Sequence, residues 1–229
     1  MVFCLGTVMF AQDTLRISVL GDSYSTFEGY IPNHYAIWYF REDNPRRFKH
    51  NDVSRVEQTW WYQVVEALHG KLEKNNSYSG STICCTGYKN DTEVHGDYSD
   101  RTFMSRVYNL GNPNLIFVFG GTNDDWADVP YGEYVYDNWT KQQLCSFRPA
   151  MAKLLYELKM IYPEAKVLVM LNSDLDEIID ESVHEICRHY DVQCLDLKDV
   201  EKMGGHPSIK GMKSICDQVV EAVGSLVSH

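Results

Sequence analysis

The chain has 229 residues, of which 44% are apolar and 23% charged. This is the composition of a folded protein with a buried core, and it excludes a disordered, collagen-like or coiled-coil chain. Thirty-two acidic against 21 basic side chains leave a formal net charge of −11, a surface that repels phosphate backbones and anionic lipid, so nucleic acid is not an expected partner.

From the amino terminus, residues 1–11 (MVFCLGTVMFA) form the longest uncharged apolar stretch, too short for the roughly 20 residues that cross a bilayer. They read as the apolar part of an export signal cleaved after Ala11, which predicts a periplasmic or extracellular protein, or else as a first hydrophobic strand. No basic residue precedes the run, and Met9 fits a cleavage site poorly. Residues 12–229 then form a single domain. Cysteines 84, 85, 145, 187, 194 and 216 remain, an even number that permits disulfides after export, with buried free thiols as the alternative. Only Cys187 with Cys194 suggests itself as a pair, should the chain reverse between them. No spacing of cysteines or histidines suggests a metal site, and no cofactor is expected.

Short apolar runs at 15–20, 115–119, 166–171 and 193–197, with a weaker one at 71–75, read as buried strands. Helical spacing marks 58–68, 103–110, 151–161, 182–190 and 208–227, the last announced by Pro207. Strands alternating with helices predict an α/β fold, a parallel sheet covered on both faces, with its ligand site at the carboxyl ends of the strands. Two long loops, 24–56 and 84–99, are of a length that usually carries function.

Four loops at that edge hold reactive residue types. Gly21-Asp22-Ser23 follows the first strand directly and presents a hydroxyl suited to a nucleophile, although a serine there is more often a helix cap. Ser79-Gly80 after the second strand brings a backbone N–H close, Gly120-Gly121-Thr122-Asn123-Asp124 after the third offers a side-chain amide, and Gly205-His206-Pro207 precedes the final helix. Together these blocks resemble the SGNH (GDSL) hydrolase family over nearly the whole chain, and GDSYSTFEGY and GHPSIKGM look like its bacterial GDSL-like lipases or acylhydrolases. The resemblance implies a flavodoxin-like three-layer α/β/α sandwich with a mostly parallel five-stranded sheet. It also implies ester hydrolysis through an acyl-serine, with Ser23 as nucleophile, His206 as base, and Ser23, Gly80 and Asn123 as oxyanion donors. Asp22 is expected to bond loop N–H groups around the nucleophile.

One block departs from the pattern: the family's Asp-x-x-His places an aspartate where this chain has Met203. Glu201 and Asp199 are the nearest upstream acids, and a backbone carbonyl in a Ser-His dyad is the other arrangement. Seven aromatics (Tyr24, Phe27, Tyr30, Tyr35, Trp38, Tyr39, Phe40) crowd the 17 positions from the nucleophile loop onward, either as a wall for a sugar or acyl group or as packing of the loop, and Trp126 and Trp139 carry the same ambiguity. The basic residues Arg41, Arg46, Arg47, Lys49 and Arg55 alternate with acids and read as a solvated face; His184 and His189 read as ordinary surface or packing residues.

Three functions follow. The first is a serine esterase on small acyl esters, such as one removing acetyl groups from carbohydrate. The second is a degenerate glycan-binding relative that does not hydrolyse. The third is a phosphate or flavin binder of flavodoxin type, which leaves Asn123 and His206 unexplained.

Overall fold

The computed structural model describes residues 14–226, so the segment read as an export signal lies outside the described residues. In chain order the elements are β1 (Arg16–Gly21), α1 (Trp60–Ala67), β2 (Lys71–Asn75), β3 (Thr86–Lys89), β4 (His95–Asp97), α2 (Phe103–Arg106) and β5 (Leu115–Phe119). There follow α3 (Thr122–Trp126), α4 (Phe147–Ile161), β6 (Lys166–Leu171), α5 (Glu177–Tyr190), β7 (Gln193–Asp196), β8 (Lys202–Met203), β9 (His206–Pro207) and α6 (Ile209–Leu226). Five of these strands form one sheet, ordered β2-β1-β5-β6-β7, and every neighbouring pair is parallel.

The sheet is buried because its strands are apolar on both sides. In β5, Ile116 and Val118 face Leu154, Leu155 and Ile186 of α4 and α5, whereas Leu115, Phe117 and Phe119 pack with Trp60 and Val64 of α1 and Ile215 and Val219 of α6. β1 and β6 alternate the same way, with Leu20, Val169 and Leu171 on the first face and Val19, Leu168 and Met170 on the second. A pleat of period two that is apolar at every position can be satisfied only by helices on both sides, so the chain folds as an α/β/α sandwich. The path runs from β1 outward to β2 and then back across to β5. The carboxyl ends of β1 and β5 therefore flank the switch point where such sheets place their sites.

Elsewhere the structure differs from the sequence reading. The 103–110 helix is a single turn, Phe103–Arg106, and α5 starts at Glu177 rather than 182 because the Asp176 carboxylate caps it, accepting from the Ile178 N–H at 2.8 Å. The 84–99 segment is not a plain loop but carries the antiparallel hairpin β3–β4. Its start is fastened by a disulfide from Cys85 to Cys145, a pair that spacing did not favour, while Cys84, Cys187, Cys194 and Cys216 are free thiols. Among the described residues, no helix is long and apolar enough to cross a membrane.

Arg106 closes α2 and is only 2% exposed. Its guanidinium donates to the Gly21 carbonyl at 3.0 Å, to the Ser81 hydroxyl at 2.8 Å, to the Arg101 carbonyl at 3.0 Å and to the Asn76 carbonyl. Replacing Arg106 by Met removes a donor set of similar length and leaves buried acceptors unpaired, so the folded state should lose about 3–5 kcal/mol in denaturant titration. A loss below about 1 kcal/mol would show that the guanidinium is not a structural clamp.

Candidate active site

β1 ends at Gly21, and the chain turns at once into a single 3-10 turn, Ser23–Ser25. A Cβ at Gly21 would lie 2.6 Å from Ser25 Oγ and 2.7 Å from Ser77 Oγ, so only glycine allows the strand to end this close to the next loop. Asp22 caps the turn by accepting the Tyr24 N–H at 2.9 Å, the bonding expected of it. Burial pushes its carboxyl up to about 7. The result holds Ser23, itself 4% exposed, at the carboxyl edge of the sheet.

His206 arrives from the other end of the chain. Met203 pairs with His206 in the β8–β9 hairpin, and the two residues between them, Gly204 and Gly205, have φ of +60° and +76°. A two-residue hairpin turn with both φ positive is the reason for the Gly-Gly dipeptide. His206 Nε2 stands 2.9 Å from Ser23 Oγ, across 183 residues of sequence. Its Nδ1 lies 3.2 Å from the Gly204 carbonyl oxygen. A carbonyl can only accept, so Nδ1 carries the proton and Nε2 is left as the acceptor for the serine hydroxyl. Burial holds the imidazole down at about 4, well below its ordinary value, so it is neutral at physiological pH.

Neither acid named from the sequence touches the imidazole. Glu201 accepts from the Ser208 hydroxyl at 2.7 Å and from Lys210 Nζ at 3.1 Å, anchoring the start of α6, and Asp199 is exposed in a left-handed conformation with φ of +52°. In place of a carboxylate, aromatic rings surround His206: Trp38 stacks on it with ring centroids 3.5 Å apart and planes 8° from parallel, and Tyr24 and Trp126 meet it edge-on at 5.1 and 6.0 Å.

The three donors read from the sequence sit just after β1, β2 and β5, with Asn123 in the first turn of α3. The loop of Gly80 is tied to the loop of Ser23 by the Tyr78 N–H, which donates to the Gly21 carbonyl at 3.1 Å. Gly80 adopts φ of +80°, and nothing lies within 4 Å of where its Cβ would be. Asn123 Nδ2 is buried without a hydrogen-bond partner, while Asn123 Oδ1 accepts from the Tyr88 hydroxyl at 2.7 Å. That bond fixes which way the amide faces and leaves its N–H₂ as an unused buried donor, an arrangement that is costly unless something else completes it. Next to it, the Asp124 carboxylate accepts from Ile83 N–H at 2.8 Å and Cys84 N–H at 3.2 Å, binding the loop that follows Gly80 to the start of α3.

The long 24–56 loop holds the histidine hairpin. Asn51 Nδ2 is within 3.2 Å of the carbonyls of Met203, His206 and Pro207, the Tyr24 hydroxyl donates to the Gly205 carbonyl at 2.8 Å, and the Tyr39 hydroxyl to the Pro207 carbonyl at 2.9 Å. The Asp52 carboxylate accepts the Ile209 N–H at 2.8 Å, where α6 begins. The aromatic run thus divides: Phe27 and Phe40 are buried in packing, whereas Tyr24, Trp38 and Tyr39 hold or shield the histidine. Trp126 is 46% exposed beside His206, whereas Trp139 packs with Tyr156 and Lys153. Tyr88, Asn51 and Arg106 were not named from the sequence; for the hairpin turn, Gly204-Gly205 between two short runs was a readable signal.

Comparison with known proteins bears on this geometry. The profile of the GDSL-like lipase/acylhydrolase family matches residues 15–223. A protein described as a GDSL-like lipase from Bacteroides uniformis is 50% identical, with a TM-score of 0.88 over 93% of this chain and 97% of its own. A second, from Bacteroides ovatus, is 46% identical with the same TM-score over 93% of this chain and all of its own. An acetyl xylan esterase from the rumen bacterium Butyrivibrio proteoclasticus is 15% identical with a TM-score of 0.53 over 93% of this chain and 64% of its own, which shows a common fold. No curated protein matches the sequence. With its profile spanning nearly all the described residues and half its positions shared with a solved relative, the chain belongs to the GDSL-like lipase/acylhydrolase family of ester hydrolases.

Proposed function

We propose that the protein is a serine esterase that works through an acyl-serine intermediate with a Ser23-His206 pair, and that its esters are carried on carbohydrate. The observation that carries the mechanism is the 2.9 Å contact from Ser23 Oγ to the unprotonated His206 Nε2. As Ser23 Oγ attacks the ester carbonyl, its proton passes to Nε2. The carbonyl oxygen becomes an oxyanion, which the Ser23 and Gly80 N–H groups and Asn123 Nδ2 receive. His206 then protonates the leaving alcohol, and water, activated by the same nitrogen, releases the acid. The Gly204 carbonyl keeps Nδ1 protonated throughout, the orienting task a carboxylate performs in a triad.

Carbohydrate as the alcohol is supported by Trp126, an exposed ring beside His206 of the kind on which sugars stack, and by the acetyl xylan esterase that shares the fold. The Cys85–Cys145 disulfide supports an exported protein, since such bonds persist in oxidising compartments.

Wild type and Ser23→Ala should be compared on p-nitrophenyl esters from acetate to palmitate. The expected result is activity on the short esters that Ser23→Ala lacks; equal rates would refute hydrolysis and leave glycan binding as the function. Asn123→Ala should lower kcat roughly a hundredfold to a thousandfold, the usual effect of losing an oxyanion donor. Tyr88→Phe should lower kcat in the same direction by a smaller factor with KM little changed, since it frees the amide to turn without removing it.

The imidazole must be unprotonated to act as base. With its pKa pushed down to about 4, kcat/KM should hold from neutral pH down to about 4 and fall below that. An acid limb at or above 6.5, the ordinary imidazole value, would mean that a carboxylate reaches Nδ1 in solution.

A further inference from the structure

We infer that α5 and β7 form a binding site for a thiophilic divalent cation of the zinc type, separate from the Ser23-His206 pair. Asp191 ends α5 in a left-handed conformation and reverses the chain, so the end of α5 lies against β7. His184 and Cys187 stand three residues apart on the helix and so share a face, and Cys194 and Asp196 stand two apart on the strand and so share the sheet's other partner face. The reversal brings these pairs together. One ligand atom each of His184, Cys194 and Asp196 lies within 4.8 Å of the others, with His184 Nε2 2.8 Å from Asp196 Oδ1.

Nitrogen, carboxylate oxygen and sulfur are a ligand set that suits zinc, with water as a fourth ligand. Around a tetrahedral ion with bonds of about 2.0–2.3 Å the ligand atoms are roughly 3.3–3.8 Å apart, so the His184–Asp196 pair would open by about 0.5 Å and Cys194 would close by up to about 1 Å. Two further observations point to a cation. Asp180, one helical turn before His184, has a buried Oδ1 with no hydrogen-bond partner. The cluster also adjoins an open depression of about 480 Å³ where Glu177, Asp180, Glu181 and Glu185 outnumber the single Arg188, a field that draws cations in. A histidine–carboxylate pair alone would explain His184 with Asp196, but not the Cys194 thiol and the unpartnered Asp180 oxygen gathered with them.

The test uses the full chain, isolated anaerobically, freed of metal with a chelator and titrated with Co(II) alone. One equivalent should bind, with thiolate-to-cobalt charge-transfer absorption and the intense visible bands of tetrahedral coordination, and Zn(II) should displace it. His184→Ala should weaken binding at least about tenfold, since even partners outside the ligand shell contribute that much. Cys194→Ser should abolish the charge-transfer band, and both variants should keep wild-type hydrolysis of p-nitrophenyl acetate. The half-exposed His184 makes its variant informative even if Cys194→Ser does not fold. Absence of saturable uptake, unchanged affinity in His184→Ala, or a Cys187–Cys194 disulfide in the freshly isolated protein would each overturn the assignment.

Discussion

The Arg106 guanidinium gathers the Gly21 and Asn76 carbonyls and the Ser81 hydroxyl around one buried charge, and the geometry of the site follows from that convergence. Parallel strands bring their carboxyl ends to one edge but do not set how far apart the following loops stand. Gly21 immediately precedes Asp22 and Ser23, while Asn76 and Ser81 bracket Gly80. A fixed planar fork between them sets the distance from the Ser23 loop to the Gly80 loop, with a rigidity that apolar packing of loops cannot supply. Burial lowers the guanidinium's own pKa to about 10, which still leaves it charged at physiological pH, with Asp22 as the nearby countercharge.

The histidine is held by a different principle. Its hairpin is only two residues per strand, too short to be stable alone, and is fixed by Tyr24, Tyr39 and Asn51 of a loop more than 150 residues earlier. Stacked under Trp38 and shielded by Tyr24, the imidazole is desolvated enough to stay neutral without a carboxylate. Met203, at the position of the family's aspartate, serves through its backbone: it pairs with His206 across the Gly-Gly turn and offers Asn51 a carbonyl. The acid of this loop has become structural, with Glu201 bonded to Ser208 and Lys210 at the head of α6.

Asn123 Nδ2, buried without a partner, is unfavourable in the resting protein. In the proposed mechanism an oxygen with developing charge would complete it. Tyr88 keeps the nitrogen unpartnered, and Tyr88 in turn sits on the β3–β4 hairpin, whose base is fastened by the Cys85–Cys145 disulfide. The 84–99 segment therefore serves the site without presenting a group to it.

Much of the local structure was legible in the sequence, though not the length of α2, the start of α5 or the β3–β4 hairpin. Strands at 115–119 and 166–171 lie where apolar runs and the turn residues after them place them, because a short apolar run between turn residues has few other ways to be buried. Ser23, Gly80, Asn123 and His206 were visible because each sits in its own short block next to a strand or helix end. Tertiary structure alone decided the partners. Arg106, Asn51 and Tyr88 carry no periodic signal, since a single polar residue reads the same in sequence whether it is solvated or buried against a partner. The pairing of Cys85 with Cys145, the carbonyl rather than carboxylate at His206 Nδ1, and the gathering of His184 with Cys194 and Asp196 all join residues through space. Such contacts are set by how helices and strands pack against one another, and no run of neighbouring residues encodes them.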